Sequence, residues 1–166
     1  MVELVFNFLI KLLGKFVPIS IRWYFTPNKI SNAVKINIAP EGNGVEFWGG
    51  ELPYIQTWIV LTNLSAFPIE LERAYGTISF GAPVCQFFCP RRIAIAAASE
   101  ERLMVNVSLS ELQAEYIKKS QNSVEKIVFD FHAYFLCAVN NFPLQRYLET
   151  THFKLVNFHL PIRSST

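Results

Sequence analysis

The pattern of hydrophobic and polar positions divides the chain into two parts. At the N terminus, Glu3, Asn7, Lys11 and Lys15 recur at every fourth position among large apolar side chains. At about 100° per residue, this spacing collects the polar groups on one narrow face of a helix. From about residue 33 onward the hydrophobic period falls to about 2, which is typical of β-strands. The sequence therefore predicts an amphipathic N-terminal helix followed by a β-rich domain.

The β-rich part contains short alternating or apolar runs separated by turns that contain glycine and proline. We expect about seven to nine short strands, one short helix and no linker long enough to divide the domain. This pattern predicts a mainly β fold, an immunoglobulin- or fibronectin-III-like two-sheet sandwich with one short helix and the N-terminal amphipathic helix. The predicted strands are 34–38, 45–48, 54–62, 69–80, 84–88, 92–96, 103–109, 127–139 and 151–158.

Local signals add detail inside the predicted sandwich. Ser110 is expected to cap a helix over residues 111–119, with Gln113 completing a capping box. Leu112, Tyr116 and Ile117 are expected to face the core from that helix. Gly76, inside a long strand, is interpreted as a β-bulge.

The N-terminal helix has four competing interpretations. A transmembrane helix needs about 20 apolar residues, whereas this one is expected to end before Pro18 and contains two lysines, unless a tilted span continues through residues 19–25. A secretory signal normally has a basic start and a small-residue cleavage site, but here Glu3 comes first. A helix lying in the membrane interface fits the narrow basic stripe best. The remaining alternative is a helix docked on its own domain or on a partner chain.

The contacts of this region follow from the interfacial interpretation. Apolar side chains on the broad face would insert, lysines would meet anionic headgroups, and the aromatic segment 19–25 would lie at the lipid–water boundary. An edge strand with aromatic packing is the alternative for that segment. We divide the chain into residues 1–26, the amphipathic helix and aromatic segment, and residues 27–166, the sandwich. The predicted contact residues are Leu9, Lys11, Leu12, Leu13, Lys15, Phe16, Arg22 and Trp23.

Composition and charge narrow the function classes. The chain has 166 residues, of which 51% are hydrophobic and 17% charged; such a composition excludes intrinsic disorder. The net charge of +2 is too small for a nucleic-acid footprint. Residues 1–25 carry three basic residues and one acidic residue, so they supply all of the net charge. Positive charge beside apolar surface favours an anionic membrane surface as the partner.

The cysteines and histidines provide little candidate chemistry. Three cysteines, an odd number, favour reduced thiols in the cytoplasm, and Cys85 and Cys89 would lie about 13 Å apart on a straight strand. His132 and His152 fall on outward faces of late strands, where they could form a small ligand-binding or hydrolytic site. An ion pair between His132 and Asp130 is the simpler expectation. Known nucleotide-binding, hydrolase and zinc-protease motifs are absent from the sequence, so we expect no cofactor and no metal, and predict that the protein is not an enzyme.

The run Asn63-Leu-Ser-Ala-Phe-Pro68-Ile-Glu-Leu71 follows a strand rich in β-branched residues. It resembles the late-embryogenesis-abundant type 2 proteins, also called the water-stress-and-hypersensitive-response domain family. The order of the strands and helix over about residues 33–158 is similar too. In this chain residues 64–67 separate the asparagine from the proline, which are adjacent in the family. The resemblance implies a fibronectin- or immunoglobulin-like sandwich linked to stress tolerance and often associated with membranes, without catalytic residues.

These observations lead to one main functional hypothesis and two alternatives. The main hypothesis is a non-enzymatic β-sandwich, peripheral to a membrane in the cytoplasm, that binds a protein or lipid partner. The first alternative is a soluble stress-protective or interaction domain whose N-terminal helix docks on its own sheet. The second is the small ligand-binding or hydrolytic protein with late-strand histidines. No nucleic-acid partner is expected, and no small-molecule substrate is evident.

Overall fold

The structure is a computed structural model that describes residues 19–39 and 44–158. The described residues form ten strands and three helical segments. In chain order the elements are α1 (residues 19–24), α2 (Pro27–Asn32), β1 (Val34–Ile38), β2 (Val45–Trp48), β3 (Tyr54–Asn63), β4 (Ile69–Phe80), β5 (Ala82–Cys89), β6 (Ile93–Ile95), β7 (Ser99–Ser108), α3 (Glu111–Ser120), β8 (Ile127–Cys137), β9 (Phe142–Thr150) and β10 (Phe153–Val156).

The strands pair into two sheets. In the first sheet, β3 pairs with β7 along its full length on one side, while β1 and β2 follow one another along its other side. Strand β10 extends this sheet by pairing with β2 in parallel. In the second sheet, β4 pairs with β8 on one side and with β5 and β6 on the other, and β9 pairs with β8. The predicted mainly β two-sheet sandwich is confirmed; its finer immunoglobulin- or fibronectin-III-like assignment stays a prediction.

The core lies between the two sheets and is built by strict alternation along the strands. On β8, every second side chain from Ile127 to Phe135 is buried. Phe80 from the second sheet contacts Phe47 and Phe153 from the first, with ring centroids 5.2 Å and 5.3 Å apart. Alternation therefore directs one face of each sheet inward, and aromatic rings close the space between the sheets.

The whole of the predicted N-terminal helix, residues 2–17, with Leu9, Lys11, Leu12, Leu13, Lys15 and Phe16, lies outside the described residues. Directly after Pro18, residues 19–24 are helical, so the alternative of an edge strand for the aromatic segment is wrong. Proline disfavours helix for the residues before it but has a helical φ itself. For this reason a proline does not prevent a helix in the residues that follow it.

Late in the chain, the structure adds a strand that the sequence pattern does not predict. Strand β9 begins at Phe142 and continues through Pro143, which occupies the second position of the strand. Proline is tolerated on an edge strand because the backbone N–H there need not join the ladder, and β9 pairs only with β8 among the described strands. The predicted last strand is shortened to β10, because part of residues 151–158 forms the turn from β9.

Helix α3 confirms the predicted capping box. Ser110 Oγ accepts a hydrogen bond from the backbone N–H of Gln113, and the Gln113 side chain accepts one from the backbone N–H of Ser110. The expectation that Leu112 and Tyr116 face the core is wrong, since these side chains are 79% and 38% exposed, whereas the expectation for Ile117 is confirmed. The buried positions are Ala114 and Ile117, which are three residues apart and therefore lie on the same helix face.

Gly76 does not form the predicted bulge. The register of β4 shifts between Leu71 and Arg73 and again between Ile78 and Ser79. At Gly76 the neighbouring strands β8 and β5 approach closely instead. A Cβ atom there would collide with the backbone oxygen of Asp130 on β8 and lie 2.9 Å from the Phe87 ring on β5. Glycine at this position lets β4, β5 and β8 pack together without displacement.

Replacing Gly76 with alanine should therefore lower the free energy of unfolding by about 1–3 kcal/mol, because the added methyl group must displace the β8 backbone. Urea denaturation monitored by fluorescence measures this change. Ser79→Ala, at an outward, partly exposed position of the same strand, serves as the control and should change stability by less than about 0.5 kcal/mol. Equal stabilities for the Gly76 variant and the parent would contradict the steric argument.

Candidate functional site

An exposed patch of apolar, aromatic and basic side chains lies where the described chain begins. Ile19 and Trp23 are 57% and 86% exposed, and their spacing of four places them on one face of α1. Tyr24 is 64% exposed. The basic side chain is Lys29, which with these residues and Ser20 lines an open depression of about 600 Å³. We call Ile19, Trp23, Tyr24 and Lys29 the N-terminal patch.

The C-terminal end of α1 is fixed to the sandwich. The side chain of Asn140 donates hydrogen bonds to the backbone oxygens of Arg22 and Phe25, at 3.2 Å and 2.8 Å. The Phe25 ring packs edge-on against Phe67, with centroids 4.8 Å apart. These contacts satisfy carbonyl groups that a helix end leaves unpaired. They also set the direction in which the exposed face of α1 points relative to the two sheets.

The basic group of the patch is held over an aromatic ring. Lys29 Nζ lies 3.9 Å from the centroid of the Tyr24 ring, a cation–π contact. Lys29 is placed there by α2, whose N-terminal turn is capped by Thr26. Arg22 is exposed on α1. Of the two described residues of the predicted contact set, the structure thus places Trp23 in one depression with Lys29 and Tyr24, whereas Arg22 is not among the residues that line it.

Within the described part of the chain, none of the helices has both the length and the hydropathy needed to cross a lipid bilayer.

A second candidate site is the outer face of the second sheet, where the strand register aligns two rows of side chains across four strands. The two rows are adjacent, since their members are two residues apart on each strand. The first row is Phe88, Tyr75, His132 and Gln145. The second row is Gln86, Thr77, Asp130 and Tyr147. We call these eight residues the aromatic face.

The polar groups at the centre of the aromatic face are ordered by one another. His132 Nε2 lies 3.2 Å from Asp130 Oδ1, so the two side chains are in contact as expected, and the Gln145 amide donates to the same oxygen at 3.0 Å. The hydrogen bond from Gln145, together with that from His132, holds the pKa of Asp130 below its usual value. The His132 ring stacks on Tyr75 with centroids 5.1 Å apart. A depression of about 480 Å³ is lined by Tyr75, Asp130 and His132, together with Thr77, Gln86 and Phe88.

The two late-strand histidines do not form a common site. His132 pairs with Gln145 across β8 and β9, whereas His152 follows Thr150, which pairs with Ile127. Ile127 and His132 are five positions apart on β8, so the points where His132 and the end of β9 before His152 meet this strand are about 17 Å apart. In the described residues no group of three or more His, Cys, Asp or Glu side chains could hold a metal ion. The alternative function that relied on both histidines acting together therefore loses its geometric basis.

The cysteines are free thiols in the structure. Cys85 is buried between the sheets, and burial raises the pKa of its thiol to about 11. Burial also raises the pKa of Cys89. A thiol with a raised pKa is protonated at neutral pH and is a poor nucleophile, so neither residue fits a nucleophilic role.

Comparisons with known proteins give information on the fold. The sequence matches no known protein-family model, and no curated protein has a similar sequence. A Northeast Structural Genomics Consortium target, SoR45, solved by X-ray diffraction, is 9% identical with a TM-score of 0.50, covering 81% of this chain and 95% of that one. A crystal structure from Archaeoglobus fulgidus is 15% identical with a TM-score of 0.43, covering 70% and 93%. An Arabidopsis thaliana protein solved in solution is 11% identical with a TM-score of 0.41, covering 75% and 82%.

The sequence pattern does not predict the aromatic face, apart from the shared outward position of His132 and Asp130. Its rings come from β5, β4 and β9, whose sequence positions are far apart, and β9 was not predicted as a strand. The available signal was the aromatic residue at an outward position of an alternating strand, as at Tyr75 and Phe88. Only the strand register shows that these positions are neighbours.

Proposed function

We propose that this protein is a non-enzymatic β-sandwich that attaches to an anionic membrane surface through its N-terminal region. The observation that carries the proposal is the exposed face of α1, formed by Ile19 and Trp23. The C-terminal end of the same helix is attached to the sandwich by Asn140 and Phe25, while Ile19 and Trp23 remain exposed. Attachment through this face would hold the sandwich in one defined orientation on the membrane.

The chemistry of the patch supports a lipid–water boundary as its environment. Tryptophan and tyrosine are enriched at membrane interfaces because their rings are amphipathic. Lys29 lies over the Tyr24 ring and Arg22 is exposed on the same helix as Trp23. A basic residue near an anionic surface contributes about 1 kcal/mol of attraction. The amphipathic pattern of residues 2–17 precedes the patch directly in the chain, so both would be able to lie in the same interface.

A liposome flotation assay with the full chain tests this proposal. The protein should float with vesicles of phosphatidylcholine and phosphatidylserine, and float less with phosphatidylcholine alone or at high salt, because anionic headgroups attract its basic residues. The double variant Ile19→Ser/Trp23→Ser should reduce flotation severalfold, since it removes the exposed apolar face of α1.

The matched control is Trp58→Ser, because Trp58 is 41% exposed on β3, outside the N-terminal patch. This variant should float like the parent. Recovery of the parent protein only in the soluble fraction, or equal flotation of the double variant and the parent, would refute membrane attachment through the patch.

A second candidate is a soluble stress-protective or interaction domain with its N-terminal helix docked on the sandwich. The contacts of Asn140 and Phe25 favour it, because they attach the end of α1 to the domain. Removing residues 1–17 distinguishes the two proposals. A docked helix predicts aggregation or a large loss of stability in the absence of lipid, whereas a membrane helix predicts a stable truncated protein that no longer floats.

A further inference from the structure

The aromatic face presents exposed rings on both of its sides. Phe88 and Tyr147 are 64% and 69% exposed, and Tyr75 is 45% exposed. Phe88 lies on β5 and Tyr147 on β9, with two strands between them. Three inter-strand spacings separate these outer strands, which makes the face about 14 Å wide. A ligand of this length would contact a ring at each end.

Between the rings lie polar side chains that can still donate or accept hydrogen bonds, and Asp130 among them is held in place by its neighbours. Asp130 accepts from His132 and Gln145 through the same oxygen, Oδ1, and its other carboxylate oxygen can accept from a ligand. Thr77 and Gln86 line the same depression and can both donate and accept. A preordered carboxylate is a strong acceptor for hydroxyl groups because the bond is charge-assisted.

The combination of exposed aromatic rings and polar side chains restricts the class of ligand that the aromatic face can bind. Lysine and arginine are absent from the described residues that line the depression, and Asp130 is its acidic group, so a phosphate or a nucleic-acid backbone lacks the cations that it needs. A wholly apolar ligand would cover Asp130 and Gln86 without replacing their hydrogen bonds to water, which is unfavourable. The remaining fit is a neutral ligand with both apolar faces and many hydroxyl groups.

We propose that the aromatic face binds a neutral glycan made of flat, equatorially substituted sugar rings. The apolar C–H faces of such rings pack on Phe88, Tyr75 and Tyr147. Their hydroxyl groups donate to Asp130 and exchange hydrogen bonds with Gln86 and Thr77. The glycan chain crosses the strands along the two rows. This site lies on the second sheet, away from the N-terminal patch, and goes beyond the proposed membrane attachment.

The test uses the full chain and two probes, cellohexaose and xylohexaose, in isothermal titration calorimetry and in ¹H–¹⁵N NMR titrations. At least one probe should bind and shift the amide signals of β4, β5 and β8 around Tyr75, Phe88 and Asp130. Phe88→Ala and Tyr147→Ala should each weaken binding about tenfold, as the loss of one stacked ring predicts. Asp130→Asn should also weaken binding, since it removes the charged acceptor.

Two controls separate this site from the rest of the molecule. Trp58→Ala, an exposed aromatic residue on the first sheet, should bind the probes like the parent, and so should the double variant Ile19→Ser/Trp23→Ser. The proposal is overturned if neither probe binds at millimolar concentration, or if Phe88→Ala and Tyr147→Ala leave the affinity unchanged. Binding of single-stranded oligothymidylate to this face without binding of either sugar would also overturn it.

Discussion

Replacing Phe80 with alanine is expected to lower the free energy of unfolding by about 3–5 kcal/mol. The Phe80 side chain is fully buried and joins the two sheets, because it belongs to β4 and contacts Phe47 on β2 and Phe153 on β10. Removing the ring leaves a cavity between the sheets and takes away two aromatic contacts at once. The nearby strand β10 pairs only with β2 among the described strands, so its attachment should weaken most.

Urea unfolding followed by fluorescence and circular dichroism measures the effect, and hydrogen exchange of the β10 amides tests where it is largest. Phe88→Ala is the matched control, because it removes the same ring from a position that is 64% exposed, and it should change stability by less than about 0.5 kcal/mol. Similar losses in the two variants would mean that Phe80 does not connect the sheets as described.

Replacing Asn63 with alanine should cost about 3 kcal/mol, a large effect for a polar side chain. Asn63 is fully buried. Its amide donates to the backbone oxygens of Phe67 and Ala96 at 2.8 Å and 2.9 Å. Its side-chain oxygen accepts from the backbone N–H and the hydroxyl of Ser65, at 3.0 Å and 2.7 Å. Alanine removes these four hydrogen bonds together. Phe67 and Ala96 keep acceptor contacts with the Ser65 and Ser99 hydroxyls, but the backbone N–H of buried Ser65 loses its acceptor, and an unsatisfied buried donor is more costly than the loss of a bond itself.

Thermal and urea unfolding check this prediction, with Asn37→Ala as the control. Asn37 is exposed on β1, so its replacement should change stability by less than about 0.5 kcal/mol. Asn63 also fixes the backbone of Phe67, on whose ring Phe25 packs. The Asn63 variant should therefore loosen α1 and weaken flotation, and a variant with both parent-like stability and parent-like flotation would contradict the role given to this side chain.

The Asn63 network also accounts physically for the segment that resembles the late-embryogenesis-abundant type 2 family. Residues 64–67, which separate Asn63 from Pro68, form a turn whose backbone is bonded back to the Asn63 side chain. The turn thus leads the chain from β3 in one sheet to β4 in the other. Membership of that family stays a prediction.

The features that the sequence predicted well depend on neighbouring positions in the chain. Alternation on β8 placed its buried residues correctly, because side chains on a strand point to opposite faces in turn. The capping box at Ser110 and Gln113 was predicted because both partners lie within one helical turn. The contact between Asp130 and His132 joins side chains two residues apart on the same face.

The errors occurred where a distant contact decides the outcome. Gly76 is a glycine because β8 and Phe87 approach it, and the β4 sequence alone contains no sign of that approach. Strand β9 contains Pro143, which argues against a strand until its place at a sheet edge is known. Hydrophobicity alone predicts that Leu112 lies in the core, but the buried face of the helix is the one that carries Ala114 and Ile117.

By itself, the sequence determined the mainly β class, most strand positions, and the amphipathic pattern that precedes α1. These follow from steric and hydrophobic preferences that act over a few residues. Tertiary structure alone decided which strands are neighbours, how Asn140 and Phe25 orient the N-terminal patch, and which outward side chains form the aromatic face. Pairing between distant strands depends on the register and packing of the whole sandwich, so residues such as Tyr75 and Phe88 become neighbours only after it has folded.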